Sequence, residues 1–408
     1  MINALKGMKD VEGKYAFYYT KIIKICEEVA KNYGFSFINT PHLELSKLFK
    51  RSVGESSDIV GKEMYEFIDK GSNKVCLRPE GTAGVVRSYI EHKMDKAQSV
   101  KRWFYHGSMF RYERPQKGRL REFHQFGVES FGTASVYEDA SLILMLVEIF
   151  TRLNIKFSLI INSLGCPQCL PSYKKALMEF LDKQEGLCED CLRRKDLNVI
   201  RILDCKNEHC QNLLQNAPLL SQKLCPSCQK DFTLLQTCLK ENGVEFKLDD
   251  KLVRGLDYYS KTAFEFISDE IGAKAAIAGG GRYDRLIEYL GGKSGYGVGF
   301  ALGIERLIAI LEQKEEECER EGIYLCAMDE NYVPKLLQIA TNLRKNKKVF
   351  LSYEAKKLAK HLANADSANA EIFLCMGANE AQNQSLFYKN LKTKEEKQIL
   401  ISNLENGL

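Results

Sequence analysis

The sequence predicts an α/β protein in two parts: an α+β domain built on an antiparallel sheet flanked by helices, then a smaller βαβ segment. Three observations lead there. Two strand-like runs, KRWFYHGSMFRYE and REFHQFGVESFG, flank a polar turn of Arg114, Pro115, Gln116, Lys117 and Gly118, the pattern of a long antiparallel hairpin. A small-residue strand, GYGVGFALG, turns at Gly303 into the amphipathic run IERLIAIL. From Ile323 onward, short apolar strands (IYLCAM, KVFLSY, EIFLCM) alternate with polar helices in a βαβ manner.

Taken in order, Tyr15 to Tyr33 places Tyr15, Tyr18, Tyr19, Ile22, Ile23, Cys26, Val29, Ala30 and Tyr33 at helical spacing and stops at Gly34, a good C-terminal cap. FSFINT reads as a short strand closed by Pro41. In the second hairpin strand, alternation puts Phe123, Gln125, Gly127 and Glu129 on one face, so an amide and a carboxylate flank a residue without a side chain, a gap with room for a ligand. Between Lys101 and Arg121 the basic residues Lys101, Arg102, Arg111, Arg114, Lys117, Arg119 and Arg121 face only Glu113, a local excess suited to a polyanion although the whole chain carries a net charge of just +5. The triple glycine Gly279 to Gly281 lacks phosphate-loop spacing and reads as close strand packing against a ligand or a neighbour. Glu312 to Gly322 is a charged helix end and linker.

Eight of the 14 cysteines fall between Cys166 and Cys228, in a charged stretch that interrupts the domain. Three CxxC pairs (Cys166 and Cys169, Cys188 and Cys191, Cys225 and Cys228) plus Cys205 and Cys210 suffice for two tetrahedral zinc sites, with reduced thiols or one occupied site as the alternative. The outer pairs could close one site at the base of the insertion and the inner four a second one, with an interleaved arrangement left open by the sequence. Four thiolates leave no position for a substrate, so any such zinc is structural. Nothing near Met1 has the apolar core of a signal peptide, and no apolar run approaches the roughly 18 residues of a membrane span. The expected compartment is therefore the cytoplasm, with no membrane partner.

The order of motifs along the chain resembles the class II aminoacyl-tRNA synthetases, and specifically the histidyl-tRNA synthetase family, over nearly everything but the cysteine-rich stretch. The first helix and strand look like motif 1, MFRYERPQKGRLREFHQFGVESFG like motif 2 and GVGFALGIERL like motif 3, while LRPEGTAGVVR (Leu77 to Arg87) and LVRGLDYY (Leu252 to Tyr259) are particular to the histidine-specific enzymes. The resemblance implies a catalytic domain over 1–320 with an insertion at about 166–235, and an anticodon-binding domain over 323–408. It also implies activation of L-histidine with ATP and Mg²⁺, transfer to tRNA(His), and a homodimer formed through motif 1.

Carried onto matching positions, the resemblance assigns a histidine site of Glu80, Gly81, Thr82, Arg111, Gln125, Glu129, Arg254, Tyr258 and Tyr259, with Tyr283 as a further wall. Glu80 and Thr82 would hold the α-amino group, and Glu129 with the Tyr259 hydroxyl would pair with the imidazole. Arg111 and Arg254 would be catalytic at the α-phosphorus, and Arg111, Arg119 and Arg306 would bind ATP. Arg114 and Gln116 would meet the acceptor end of tRNA, and Lys345, Lys347, Lys348, Lys356, Lys357 and Lys360 could supply phosphate contacts in the terminal segment. A second reading is a non-catalytic, synthetase-like regulatory subunit of histidine biosynthesis. Such a chain is expected to lack the terminal segment and to lose the arginines, both of which this chain keeps.

Overall fold

The computed structural model describes residues 2–54, 57, 59–96, 99–253, 258–271, 275–314 and 319–404, which form two compact units, Met1–Glu315 and Glu316–Leu408. In the first unit the helix Gly13–Asn32 buries Tyr18, Ile22, Cys26, Val29 and Ala30, one face of a 3.6-residue period. It ends where Gly34 takes a φ of +81°, a conformation glycine adopts without steric cost. Of the FSFINT run only β1 (Ser36–Phe37) pairs as strand. Next come β2 (Leu43–Leu45), β3 (Glu66–Ile68) and β4 (Lys74–Leu77), a small antiparallel sheet in the order β2-β4-β3.

The large sheet adds β5 (Lys101–Phe110), β6 (Glu122–Phe131), β7 (Ser158–Ser163), β8 (Lys247–Leu248), β9 (Ser260–Ser268), β10 (Ala275–Arg282) and β11 (Gly297–Gly303). Its order is β1-β5-β6-β11-β10-β9-β7-β8, antiparallel except for the edge pairs β1 with β5 and β7 with β8. Alternation divides the two faces. Phe104, Phe126, Val128, Phe264, Phe266, Val298, Phe300 and Leu302 join the helices Gly13–Asn32, Val136–Arg152 and Ile304–Leu311 in the main core. Burying each such side chain stabilises the fold by about 1.5–3 kcal/mol. The opposite face, carrying Tyr105, Gln125, Gly127, Glu129, Glu265 and Gly299, is left to build a site.

Between β7 and β8 the cysteine-rich stretch forms helices Leu170–Leu181, Glu189–Leu197 and Glu208–Leu213 around a core of its own, with Tyr173, Leu177, Leu181, Cys191, Ile202, Cys210 and Leu214. The helix Pro226–Glu241 then returns the chain to the main core through Phe232, Leu235 and Leu239.

The second unit is a five-stranded sheet in the order β13-β12-β14-β15-β16, with β12 (Ile323–Ala327), β13 (Val349–Leu351), β14 (Ile372–Met376), β15 (Ser385–Asn390) and β16 (Glu396–Leu400). The first three are parallel, linked through the helices Val333–Leu343 and Leu358–Ser367, and every residue of the central β12 is buried. The closing β15–β16 hairpin was not anticipated from sequence, because SLFYKN sets its apolar residues in a row and EKQIL, the edge strand, is mostly polar.

Candidate active site

The centre of the open sheet face is Glu129 on β6, 1% exposed. It accepts hydrogen bonds from Thr82 Oγ1 at 2.7 Å, from the Tyr105 hydroxyl at 3.3 Å and from the Tyr283 hydroxyl. Burial pushes its carboxyl up to about 8, against the opposing pull of these donors, so it holds a proton at neutral pH. Glu80 is also buried, and its two oxygens accept the backbone N–H groups of Thr82 (2.6 Å) and Ala83 (3.0 Å), which fixes the N-terminus of the helix Thr82–Glu91. Burial raises the Glu80 pKa too, offset by those N–H groups and by Arg111. Tyr258, Tyr259 and Tyr283 cluster about the same pocket, with the rings of Tyr258 and Tyr259 tilted at a centroid distance of 4.7 Å and those of Tyr258 and Tyr283 edge to face at 5.7 Å. The Tyr258 hydroxyl and the Gln125 side-chain oxygen are buried without a hydrogen-bond partner among the described residues, the arrangement of groups awaiting a polar ligand.

The gap opposite Gly127 is not empty, as the sequence pattern had suggested, because the ring of Tyr105 fills it. A Cβ on Gly127 would lie 2.4 Å from Tyr105 Cζ, and one on Gly81 would lie 2.2 Å from the same ring. A Cβ on Gly299 would meet Glu129 Oε2 at 1.9 Å. Glycine here makes space for the pocket's own polar wall.

Along the strand from Glu129, at Gln125, the pocket end gives way to a cleft of about 1190 Å³ lined by Arg111, Glu113, Arg119, Glu265, Gly279 and Arg306 among others. Arg111 donates from Nε to the Pro79 carbonyl at 2.9 Å and lies over the Phe123 ring at 5.2 Å. Its pKa is drawn down by burial despite Glu63, Glu113 and Glu80 nearby. Arg306, at the start of the helix Ile304–Leu311, donates to the Ala276 carbonyl. Burial and then the like charge of Arg119 lower its pKa. Arg119 is exposed, 3.7 Å from Glu113, in a turn closed by a Gln116–Arg119 bridge. Arg114 and Gln116 are exposed in that turn. Arg254 lies outside the described residues.

The eight clustered cysteines fall into two sets, Cys166, Cys169, Cys225 and Cys228, and Cys188, Cys191, Cys205 and Cys210, each with its sulfurs within 4.8 Å of one another. Cys166 Sγ is 3.7 Å from Cys169 Sγ and 3.8 Å from Cys225 Sγ, and Cys188 Sγ is 3.8 Å from Cys205 Sγ. Four sulfurs held tetrahedrally at about 2.3 Å from a zinc ion would be separated by about 3.8 Å.

Sequence reasoning passed over Tyr105, although it pairs directly with Gly127 across the hairpin, and an aromatic opposite a glycine was a usable signal. It also passed over Glu305, whose carboxylate accepts the His124 backbone N–H (2.9 and 3.0 Å), contacts His124 Nδ1 (2.8 Å) and meets the Tyr15 hydroxyl (3.5 Å). That junction ties the first helix, β6 and the Ile304–Leu311 helix together at the wall of the cleft, which Glu305 itself lines.

An antiparallel sheet with a hairpin and a glycine-rich strand-to-helix turn converging on an arginine-lined cleft defines a class II aminoacyl-tRNA synthetase catalytic domain. A family model for histidyl-tRNA synthetase matches residues 7–307, and one for an anticodon-binding domain matches residues 308–408. The chain is 80% identical over 408 residues to a histidine–tRNA ligase of Campylobacter jejuni subsp. jejuni serotype O:6, covering all of both chains. It is 62% identical over 409 aligned positions to one of Campylobacter concisus, again with full coverage. Among solved structures, apo histidyl-tRNA synthetase of S. aureus superposes with a TM-score of 0.83 at 32% identity, covering 99% of this chain and 98% of that one. A Bacillus halodurans C chain described as an ATP phosphoribosyltransferase regulatory subunit/histidyl-tRNA synthetase shares the fold at 21% identity, with a TM-score of 0.66 over 93% of this chain and 99% of that one. The chain belongs to the histidyl-tRNA synthetase family.

Proposed function

We propose that the protein is a ligase that activates L-histidine with ATP to histidyl-adenylate and pyrophosphate, then transfers histidine to the 3′ end of tRNA(His). The observation that carries this is the buried, hydrogen-bonded Glu129 at one end of a strand face whose other end opens on an arginine-lined cleft. A neutral imidazole offers one N–H and one bare nitrogen, and a buried carboxyl beside tyrosine hydroxyls can answer both. A site of this kind rejects amino acids that leave its own polar groups unpaired. Glu80, Gly81 and Thr82 are the residues for the α-amino end, with Gln125 and Arg111 toward the carboxylate and Tyr258, Tyr259 and Tyr283 around the ring.

Activation is attack of the histidine carboxylate on the α-phosphorus, with pyrophosphate leaving as charge builds on the non-bridging oxygens. Arg111 and Arg254 would stabilise that charge, and Arg119 and Arg306 would hold the remaining phosphates. No side-chain nucleophile is required. Mg²⁺ would supply charge neutralisation at the phosphates, and the carboxylates of Glu113 and Glu265 on the cleft would be the hard oxygen ligands to hold it. Each set of four cysteines would hold one structural zinc, a reading supported by the sulfur separations.

Arg114 and Gln116 on the exposed turn suit the acceptor end of tRNA. A homodimer is supported by the apolar side chains that the first strand and the small sheet leave exposed, Phe37, Leu43, Leu45, Phe67 and Ile68. Among the described residues no helix is long and apolar enough to cross a membrane. Nothing in the matches favours the regulatory-subunit reading.

The test is exchange of labelled pyrophosphate into ATP, run with histidine and with the other common amino acids, beside an Arg254→Ala variant. Exchange with histidine alone, lost in the variant, is the expected result. No exchange from folded protein would overturn the reading.

A further inference from the structure

The inner cysteine set and the cleft share a residue. Cys205 belongs to the first and also lines the second, with Leu203, Asp204, Lys206 and Gln211 beside it and Arg111, Arg119 and Arg306 on the same cleft. This stretch has little regular structure to hold it there: a 3₁₀ turn, Val199–Asp204, runs into the six-residue helix Glu208–Leu213. Val199, Ile202 and Leu214 anchor it in the lobe's own core, and Cys205 and Cys210 tie it to Cys188 and Cys191 at the start of the neighbouring helix Glu189–Leu197.

The main chain wraps around these sulfurs and donates to them. The Asn207 N–H points to Cys205 Sγ at 3.4 Å and the Cys188 N–H to Cys210 Sγ at 3.3 Å, while Asn207 Oδ1 accepts the Cys210 N–H at 3.2 Å. Backbone donors aimed at sulfur suit thiolates in a metal site and orient the ligands that surround them. Between Cys205 and Asn207 stands Lys206, with its side chain 84% exposed and its ammonium 2.6 Å from Asp204.

We infer that a zinc ion on Cys188, Cys191, Cys205 and Cys210 mounts the turn 203–206 as a wall of the cleft, and that this wall presents the Lys206 ammonium to phosphate oxygens bound there. None of the outer set, Cys166, Cys169, Cys225 and Cys228, lines the cleft, and these four join the two ends of the insertion. The inference deepens the ATP and zinc reading above and rests on it. Phosphate oxygens in the cleft come from ATP or from the 3′ end of tRNA. Pyrophosphate exchange contains only the first, and charging contains both.

The experiment uses the full-length protein, with zinc counted by elemental analysis and both reactions measured. Wild type is expected to carry two zinc ions per chain. Cys205→Ser should retain one, and Lys206→Ala both. In each variant the KM for ATP in exchange should rise by up to about fivefold, the upper end of what an exposed ionic contact is worth. If instead exchange is unchanged and the KM for tRNA in charging rises by the same factor, the tRNA end is the phosphate source. The inference is overturned by a wild-type count below two, by a Cys205→Ser count equal to wild type, or by Lys206→Ala protein that keeps its zinc and leaves both reactions unaltered. Wild type that carries two zinc ions but exchanges nothing would sink the enzyme reading while leaving the metal count in place. Lys206→Ala leaves every ligand intact, so it decides the matter even if Cys205→Ser does not fold.

Discussion

The two ends of the open sheet face solve opposite electrostatic problems. At the pocket end, Glu129 and Glu80 are buried among hydroxyls and backbone N–H groups, and burial drives both carboxyls toward the neutral form. At the cleft end, burial lowers the Arg111 pKa, burial and then the like charges of Arg119 and Arg111 lower that of Arg306, and Arg119 lies 3.7 Å from Glu113. Guanidinium groups stay protonated across the physiological range whatever the neighbourhood, so the cleft keeps its positive charges while burial disfavours the charged form of the pocket carboxyls. The lesson is that recognition and activation need different preparation on one strand: a buried polar network with the Tyr258 hydroxyl and the Gln125 oxygen still open, which a correct ligand completes, and a set of guanidinium groups placed where a transition state builds negative charge.

The largest way to break this division is Arg111→Ala, expected to slow histidine-dependent pyrophosphate exchange by roughly 10²–10³-fold, as loss of one pre-oriented donor does at a developing oxyanion. Glu129→Gln keeps the shape of the pocket but loses the carboxyl, and the KM for histidine should rise about ten- to a hundredfold, the worth of a buried hydrogen bond to an ionisable group. Gly127→Ala drives a methyl group into the Tyr105 ring and should destabilise the first unit by about 1–3 kcal/mol, read as a lower Tm with weaker histidine binding.

The smallest effect sharpens the comparison through pH. Because the Glu129 carboxyl is raised to about 8 in the folded chain, the native state keeps a proton that the unfolded chain releases near the ordinary carboxylate pKa. Between those two values the folded state binds more protons, so stability falls as pH rises, and the loss levels off above about 8. Glu129→Gln removes this dependence. The Tm difference between variant and wild type should therefore move in the variant's favour from mildly acidic pH up to about 8, checked by differential scanning calorimetry in matched buffers.

Much of this architecture was open to reading in the chain itself, and the reasons are local. The β5–β6 hairpin announces itself because ten-residue strands on each side alternate over a polar turn, and β11 because small residues pass at Gly303 into a helical apolar period. The CxxC pairs are short-range features too, although only the fold distinguishes nested from interleaved sets. What stayed hidden depends on contacts between distant segments. Tyr105 enters the pocket through cross-strand register, Glu305 reaches His124 across 181 positions, and the turn at Cys205 comes to the cleft from a lobe with a separate core. No periodicity within a segment records such meetings.

The most direct test of the two-ended account is equilibrium binding of histidine, without ATP, to wild type, Glu129→Gln and Arg306→Ala. The account predicts that Glu129→Gln binds histidine at least tenfold more weakly, as the loss of a buried hydrogen bond requires, while Arg306→Ala binds it as wild type does and is impaired only when ATP is added. Equal loss of histidine binding in both variants would contradict it, since the cleft arginine would then belong to recognition as much as the pocket carboxyl does.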